Sequence, residues 1–191
     1  MYDAPLVTGT AAVCAAVVHG IGPGVSEEVL CRGFTVSNLM RIWKDKPHRI
    51  LRCALVSGGA FGLLHATNVI VTGDPLAALV QVIYTAGLGV LYGAIYLRTR
   101  SIWGVMLLHT LTDITVFIAV FDGNATGMDI LFCVFGALLF VALALYLIRP
   151  AKRQEIDALW AELDAVEQDA QTQSAQDGPD RTLAAAQAVA K

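Results

Sequence analysis

Stretches of about 20 apolar residues set the strongest constraint on the fold of this chain, because a helix of that length spans the ~30 Å hydrocarbon core of a bilayer. Four stretches reach that length with at most one charged residue, and two shorter ones precede them, separated by Gly22-Pro23-Gly24, a sequence that breaks or kinks a helix. With 56% hydrophobic and 15% charged residues, the composition is that of a membrane protein. The sequence predicts an all-α, polytopic transmembrane helical bundle of about six membrane segments, at residues 6–21, 25–42, 53–73, 75–97, 101–121 and 130–148.

The basic residues of the loops predict how these segments are oriented. Lys and Arg follow the second, fourth and sixth segments, whereas residues 72–74 and 122–129 contain neither. Cytoplasmic loops carry the excess of Lys and Arg, so the three basic loops are expected on the cytoplasmic side. With six segments, this pattern predicts an integral membrane protein with both termini in the cytoplasm.

The last part of the chain differs in composition from the apolar body before it. Residues 150–191 contain eight acidic and four basic residues. Apolar residues recur there at helical spacing from Ile156 to Val166, which predicts a short amphipathic helix, and the polar composition after about Ala170 is typical of disorder. We therefore expect a transmembrane bundle over residues 1–149 and an acidic cytoplasmic tail over residues 150–191.

Net charge and cysteine usage exclude two classes of protein. The 13 Lys and Arg residues against 16 Asp and Glu residues give a net charge of −3, without the basic surplus of a protein that binds nucleic acid. The 4 cysteines are scattered through apolar stretches with no CxxC spacing, which argues against a zinc finger and against a disulfide framework. All four are expected to be buried thiols.

Six of the ionisable side chains inside the predicted segments are candidates for a site, because each costs roughly 2.5–3.5 kcal/mol at membrane depth on insertion scales. Residues four apart share one face of a helix, so Glu28 and Arg32 are predicted to form an ion pair that leaves Glu27, about 100° further round, free of Arg32. His109 and Asp113 also lie four apart. We expect three helices to bring one polar stripe each into the bundle interior, and the candidate site residues are Glu27, Glu28, Arg32, His65, His109 and Asp113.

Each stripe alone also has an ordinary structural explanation. Residues 26–28 match a serine N-cap followed by acidic residues that complement the helix dipole. A histidine in a membrane helix often does no more than hydrogen-bond to a neighbouring helix, and His109 with Asp113 matches a packed polar pair equally well. The three stripes together favour a site, whereas His19 and His48 are expected to lie outside it.

Three short motifs contain these ionisable residues. Residues 26–33 read Ser-Glu-Glu-Val-Leu-Cys-Arg-Gly, followed later by Phe61-Gly-Leu-Leu-His65 and His109-Thr-Leu-Thr-Asp113. In order and spacing they resemble the motifs E-E-x-x-x-R, F-x-x-x-H and H-x-x-x-N/D of the CPBP family of intramembrane proteases. That family contains the type II CAAX prenyl endopeptidases and bacterial relatives linked to bacteriocin processing and immunity. The resemblance covers about residues 20–120, and three motifs in order are far more specific than one.

The resemblance implies a helical bundle with a proteolytic site inside the membrane. Carried over to this sequence, Glu27 is the catalytic acid/base and works with His65 on a water molecule, while His109 and Asp113 bind the oxyanion and orient the site. An ionised Asp113 cannot donate a hydrogen bond, so either a protonated Asp113 or one that orients His109 fits the third motif. Three further motif residues are expected to support the site: Glu28, Arg32 and Phe61.

The resemblance leaves a metal as an alternative, since the family has long been labelled as metalloproteases. Glu27, His65 and His109 would be three ligands of a zinc ion that keeps an open position for water. No H-E-x-x-H sequence is present, and the likeness to the prenyl endopeptidases favours a glutamate mechanism. We therefore expect that no cofactor is required, with zinc as the alternative.

The expected function is that of an intramembrane endopeptidase in the plasma membrane of a bacterium. It would hydrolyse a peptide bond of a membrane-associated protein or peptide near its membrane anchor, in contact with membrane lipid. The alternative is a non-catalytic relative that uses the same bundle as a membrane binding partner, immunity factor or scaffold. Geometry separates the two hypotheses, because a protease needs Glu27, His65 and His109 to converge on one cavity that a peptide can reach.

Overall fold

The computed structural model describes residues 9–121 and 130–176, and every regular element within them is helical. The all-α fold class is therefore confirmed. In chain order the elements are α1 (Thr10–Glu28), a π-helical segment (Val29–Val36), α2 (Ser37–Ile42), α3 (Arg49–Leu64), a 3₁₀ turn (His65–Thr67), α4 (Asn68–Thr72), α5 (Pro75–Thr99), α6 (Ile102–Phe121), α7 (Ile130–Leu147) and α8 (Pro150–Gln176).

The membrane segments confirm the predicted polytopic bundle. Four helical stretches in the described residues are long and apolar enough to cross a membrane: Val13–Ile42, Arg49–Thr72, Pro75–Thr99 and Ile130–Leu147. A shorter apolar helix covers Ile102–Phe117. The start of the bundle differs from the expected arrangement. The boundary that we expected at Gly22-Pro23-Gly24 does not occur, because helix continues without interruption from Thr10 to Ile42.

The glycines near Pro23 act as packing residues in α1. A Cβ atom on Gly20 would lie 2.9 Å from Cγ1 of Ile114, and one on Gly24 would lie 2.8 Å from the backbone nitrogen of Thr110. Small residues four apart let two membrane helices approach closely, and here they bring α1 against α6. This packing outweighs the local preference of glycine and proline to end a helix.

Close helix packing through small residues also forms the rest of the bundle. A Cβ on Gly62 of α3 would lie 2.6 Å from Cβ of Ala86 in α5, and a Cβ on Gly87 of α5 would lie 2.7 Å from Cα of Ala137 in α7. Membrane helices gain little from the hydrophobic effect when they associate, so van der Waals packing at such positions carries much of the attraction. Helix α5 is therefore held between α3 and α7.

Two prolines mark helix boundaries, at the start of α5 and between α7 and α8. Oδ1 of Asp74 accepts hydrogen bonds from the backbone nitrogens of Leu76 and Ala77, at 2.9 and 3.0 Å, and Pro75 occupies the first position of α5. This N-cap was predicted from the sequence. Pro150 follows the end of α7, as expected, and begins α8.

The serine before the two glutamates does not begin a helix. Ser26 lies inside α1, and its hydroxyl donates to the backbone oxygen of Gly22 at 2.8 Å. The N-cap explanation of residues 26–28 is therefore wrong. Glu27 and Glu28 occupy the interior of a continuous membrane helix instead of its first turn.

The chain divides into two compact units between Ala151 and Lys152. In the second unit, α8 runs to Gln176, past Ala170 where we expected disorder to begin. A 2.7 Å ion pair joins Lys152 and Glu155 on this helix. Residues 177–191, the rest of the expected acidic tail, lie outside the described residues.

The four cysteines are all free thiols. Three of them, Cys31, Cys53 and Cys133, are buried as expected. Cys14 is exposed on α1, so the prediction of burial is wrong for this residue. In a bundle of apolar helices the outer face contacts lipid, and a small thiol needs no protein partner there.

Candidate active site

A carboxylate and a histidine from two helices form the centre of the site. Oε1 of Glu28, at the end of α1, lies 2.8 Å from Nδ1 of His109 in α6. Glu28 is fully buried and His109 is 3% exposed. An ionised carboxylate has only acceptor atoms, so Nδ1 of His109 donates the hydrogen bond. The contact fixes the orientation of the imidazole and leaves its Nε2 for the other side of the site.

Arg32 holds the same carboxylate from the π-helical segment. Its Nη1 donates to Oε1 of Glu28 at 2.7 Å, and its Nη2 donates to the backbone oxygen of Gly89 at 2.8 Å. The guanidinium carbon lies 4.7 Å from the ring centroid of Phe61 and 5.5 Å from that of Tyr92. The ion pair predicted from the four-residue spacing is confirmed. It neutralises the buried charge of Glu28 and ties the π-helical segment to α3 and α5.

Two further carboxylates lie on the Nε2 side of His109. Nε2 is 3.6 Å from Oδ1 of Asp113 and 4.0 Å from Oε2 of Glu27. The side chains of Glu27 and Asp113 are 31% and 22% exposed, in contrast to the sealed Glu28. The imidazole therefore has a closed face toward Glu28 and a more accessible face toward Glu27 and Asp113.

Phe61 connects the second motif to this centre. Its ring centroid lies 5.0 Å from that of His65 and 5.3 Å from that of His109, edge to face in both cases. Nδ1 of His65 donates to the backbone oxygen of Phe61 at 3.0 Å, because a carbonyl oxygen can only accept, and this leaves Nε2 for other partners. All three motifs thus reach one site.

The π-helical segment shapes the backbone directly after Glu28. Its wider turn shows in the hydroxyl of Thr35, which donates to the backbone oxygen of Leu30 five residues earlier. Ser57 of α3 donates to the backbone oxygen of Cys31 at 3.0 Å. Turns of this kind occur frequently at functional sites. Here the segment supplies Arg32 to the site and a backbone acceptor to α3.

Tyr92 of α5 is a site residue that the sequence analysis did not single out. Its ring centroid lies 5.6 Å from that of His109, and its hydroxyl is 2.9 Å from Oγ1 of Thr112. Thr112 lies between His109 and Asp113 on α6, so this hydrogen bond ties α5 to the third motif. The available signal was general: a tyrosine hydroxyl at membrane depth needs a polar partner.

Two histidines, His19 and His48, were expected to lie outside the site. The ring centroid of His19 in α1 lies 5.6 Å from that of Phe117. His48 is an exposed residue in the loop before α3.

Buried oxygen atoms at the centre retain capacity for hydrogen bonds. Among the described residues, Oε2 of Glu27 and Oε2 of Glu28 are buried without a hydrogen-bond partner, as is Nε of Arg32. Buried polar atoms are nearly always paired with protein groups or ordered water. The oxygen of Glu27, beside Nε2 of His109, can accept a hydrogen bond from a water molecule or from a substrate amide.

The zinc alternative depends on how the possible ligand side chains are placed. Within residues 9–121 and 130–176, no group of three or more His, Cys, Asp or Glu side chains is arranged to hold a metal ion. Glu27, His65 and His109 have the donor chemistry of zinc ligands, but they are not assembled as a coordination shell. The mechanism proposed below therefore uses only side chains of the protein and a water molecule.

A comparison with protein families shows which family the chain belongs to. The model of the type II CAAX prenyl endopeptidase Rce1-like family matches residues 9–115. The chain belongs to this family. The matched region contains all three motifs and extends from α1 into α6. No curated protein and no solved structure matches the chain.

Membership in the type II CAAX prenyl endopeptidase Rce1-like family makes this chain a member of a protease family. Together with the apolar helices, it identifies an integral membrane protein. The suspected relationship to the CAAX prenyl endopeptidases is confirmed.

Proposed function

We propose that the chain is an intramembrane endopeptidase that hydrolyses a peptide bond of a membrane-associated protein or peptide. The observation that carries this proposal is the arrangement around His109. Its Nδ1 is bound to the buried Glu28 at 2.8 Å, while its Nε2 faces Asp113 at 3.6 Å and Glu27 at 4.0 Å. A base and a donor for an oxyanion thus stand side by side, partly open to the surroundings.

Glu27 is the proposed general base. Its unpartnered Oε2 accepts a hydrogen bond from a water molecule and takes the proton as the water oxygen attacks the carbonyl carbon. The Nδ1 of His65 is held by the backbone of Phe61, which keeps Nε2 for a hydrogen bond to the same water in the proposed mechanism. When the tetrahedral intermediate collapses, Glu27 returns the proton to the nitrogen of the leaving amine, so the catalyst is regenerated.

His109 is the proposed donor to the oxyanion. Donation from Nε2 while Nδ1 donates to Glu28 requires the imidazolium, whose positive charge is stabilised by the carboxylates of Glu28, Glu27 and Asp113. A positive charge placed where negative charge develops lowers the barrier. Asp113, an acceptor when ionised, orients His109 in this mechanism.

The location that we propose is the plasma membrane of a bacterium, with the three basic loops on the cytoplasmic side. Two spans before residue 43 would place both termini in the cytoplasm. The continuous stretch Val13–Ile42 instead supports a single crossing, with Thr10 on the opposite side of the membrane from Lys46. The proposed partners are membrane lipid and a peptide or protein substrate near its membrane anchor.

Cleavage of a quenched library of membrane peptides by the purified protein in lipid tests the proposal. The library is incubated with wild type, Glu27→Gln and His65→Ala, each with and without a chelator. Matched controls are Glu155→Gln in α8 and His48→Ala in the exposed loop. We expect wild type and controls to cleave, and both site variants to lose roughly a hundredfold or more of the rate, since general acid–base catalysis contributes at least that much.

The chelator separates the two mechanisms. Cleavage that survives chelation supports a glutamate protease that needs no cofactor. Loss of cleavage on chelation, restored by zinc, would establish the zinc alternative. Absence of cleavage by folded wild type across lipids and peptides would favour the non-catalytic relative.

A further inference from the structure

Two side-chain amides form a hydrogen-bonded pair close to His65. Nδ2 of Asn68, the first residue of α4, donates to Oε1 of Gln81 in α5 at 2.9 Å. Gln81 lies six residues after Pro75, about 9 Å along the axis of a helix that crosses the membrane. Two carboxamides at such a depth are costly unless each finds polar partners.

One NH₂ group and one carbonyl oxygen of the pair remain without a hydrogen bond to the described residues. Among the described residues, the side chains of Asn68 and Gln81 hydrogen-bond only to each other. Each carboxamide carries an NH₂ group and a carbonyl oxygen, so one contact between them leaves an NH₂ group on one residue and an oxygen on the other. Exchange of the donor and acceptor roles leaves the same two groups. Neither is sealed from the surface, and both residues are half-buried.

The 3₁₀ turn sets the position of the pair relative to His65. The turn covers His65–Thr67, and Asn68 follows it directly. A 3₁₀ helix has three residues per turn and rises about 2 Å per residue, so Asn68 stands above His65 on the same face, about 6 Å further along the axis. His65 and Asn68 are both half-buried there.

We infer that the Asn68–Gln81 amide pair binds a backbone peptide group of the substrate about two residues from the scissile bond. A peptide group offers one N–H donor and one carbonyl acceptor, which match the remaining oxygen and NH₂ group of the pair. An extended peptide advances about 3.3 Å per residue, so 6 Å corresponds to about two residues. Recognition through the backbone positions the chain and leaves side-chain sequence largely unread. The inference rests on the proposed function, because His65 marks the scissile bond only in a protease.

Enzyme and substrate changes are combined to test this contact. A library peptide that wild type cleaves is made with its backbone amides N-methylated, one at a time, within three residues on either side of the scissile bond. It is cleaved by wild type, Asn68→Leu, Gln81→Leu and the matched control Asn38→Leu, whose amide bonds to the backbone of its own helix. We expect Asn68→Leu and Gln81→Leu to raise KM about three- to tenfold, the loss of roughly one hydrogen bond, and to leave kcat within about twofold.

N-methylation separates a direct contact from a structural role. We expect one N-methylated position to raise the KM of wild type and of Asn38→Leu but not that of Asn68→Leu, because the lost contact is already absent there. If the KM increases from Asn68→Leu and from N-methylation multiply at every N-methylated position, the two changes act independently and the inference is overturned. A fall in kcat with unchanged KM in Asn68→Leu or Gln81→Leu would also overturn it.

Peptide binding distinguishes failure of this inference from failure of the proposed function. The same variants are titrated with fluorescein-labelled library peptides, which requires no cleavage. Binding that weakens in Asn68→Leu and Gln81→Leu, from a wild type that cleaves nothing, supports the amide site and contradicts the protease. Cleavage and binding that are the same in all variants contradict the amide site alone, and no binding of any peptide contradicts both.

Discussion

The Glu28 carboxylate lies 2.8 Å from Nδ1 of His109, although the two residues are 81 positions apart in the sequence. The same oxygen accepts from Nη1 of Arg32 at 2.7 Å. Glu28 therefore does more than hold the helix of the first motif. It connects the first motif to the third and fixes which nitrogen of His109 carries the hydrogen toward the interior.

Replacement of Glu28 by Gln should destabilise the folded bundle. Arg32 is fully buried, and removal of its counter-ion leaves an uncompensated charge at a cost of about 3–5 kcal/mol. Unfolding in mixed micelles, followed by circular dichroism as denaturing detergent is added, measures the loss. Glu155→Gln removes one partner of the exposed Lys152–Glu155 pair and should change the unfolding free energy by less than about 1 kcal/mol. Equal effects of the two variants would contradict the role of the buried pair.

Replacement of Tyr92 by Phe should slow catalysis and leave the fold intact. The ring against His109 and Arg32 is kept, but the hydrogen bond to Thr112 at 2.9 Å is lost. A bond of that kind contributes about 0.5–1.5 kcal/mol, so we expect kcat to fall roughly two- to tenfold. Tyr92→Leu, which also removes the ring, should lower kcat further.

Tyr96→Phe is the matched control for Tyr92→Phe. Tyr96 is one turn further along α5, and its hydroxyl lies 3.0 Å from Oγ of Ser37, on the first helical stretch. Its loss should change kcat little. Comparable kcat values for Tyr92→Phe and Tyr96→Phe would show that Tyr92 does not position the third motif.

Two glycines of α3 should respond in opposite ways to alanine. A Cβ on Gly62 meets Cβ of Ala86 at 2.6 Å and the backbone oxygen of Val82 at 2.7 Å, whereas a Cβ on Gly59 has no neighbour within 4 Å. Gly62→Ala should lower the unfolding free energy by about 1–3 kcal/mol through overpacking. Gly59→Ala should be neutral or raise it by up to about 1 kcal/mol through helix propensity. A stable Gly62→Ala variant would argue against close contact of α3 with α5.

Features that depend on one helix could be predicted from the sequence. The apolar segments followed from hydropathy, and the Glu28–Arg32 pair followed from four-residue spacing. The same spacing placed His109 and Asp113 together, at 3.6 Å. In each case the interaction lies within one helix, where the periodicity of 3.6 residues determines which side chains meet.

Features that depend on how helices pack could not be predicted. The Glu28–His109 contact requires a particular register of α1 on α6, which Gly20 and Gly24 determine by their close approach to α6. Gly24 directly follows Pro23 and was interpreted as part of a helix break. The local preferences of glycine and proline predicted that α1 ends near Pro23, but in the structure its packing against α6 keeps the helix continuous. The π-helical segment Val29–Val36 has no sequence signal that we could identify.

The continuous first helix predicts the side of the membrane on which Thr10 lies. The stretch Val13–Ile42 contains 30 residues, about 45 Å of helix, which is enough for one crossing of a ~30 Å core and too short for two. If the basic loop at residues 43–48 is cytoplasmic, Thr10 lies on the opposite, extracytoplasmic side of the membrane. The variants Thr10→Cys and Lys46→Cys test this, in a background where the exposed Cys14 is replaced by Ala and the three remaining cysteines are buried. In intact cells a membrane-impermeant maleimide should label Thr10→Cys at once, and Lys46→Cys only after permeabilisation. Protection of both cysteines in intact cells would instead support two short spans and a cytoplasmic N terminus.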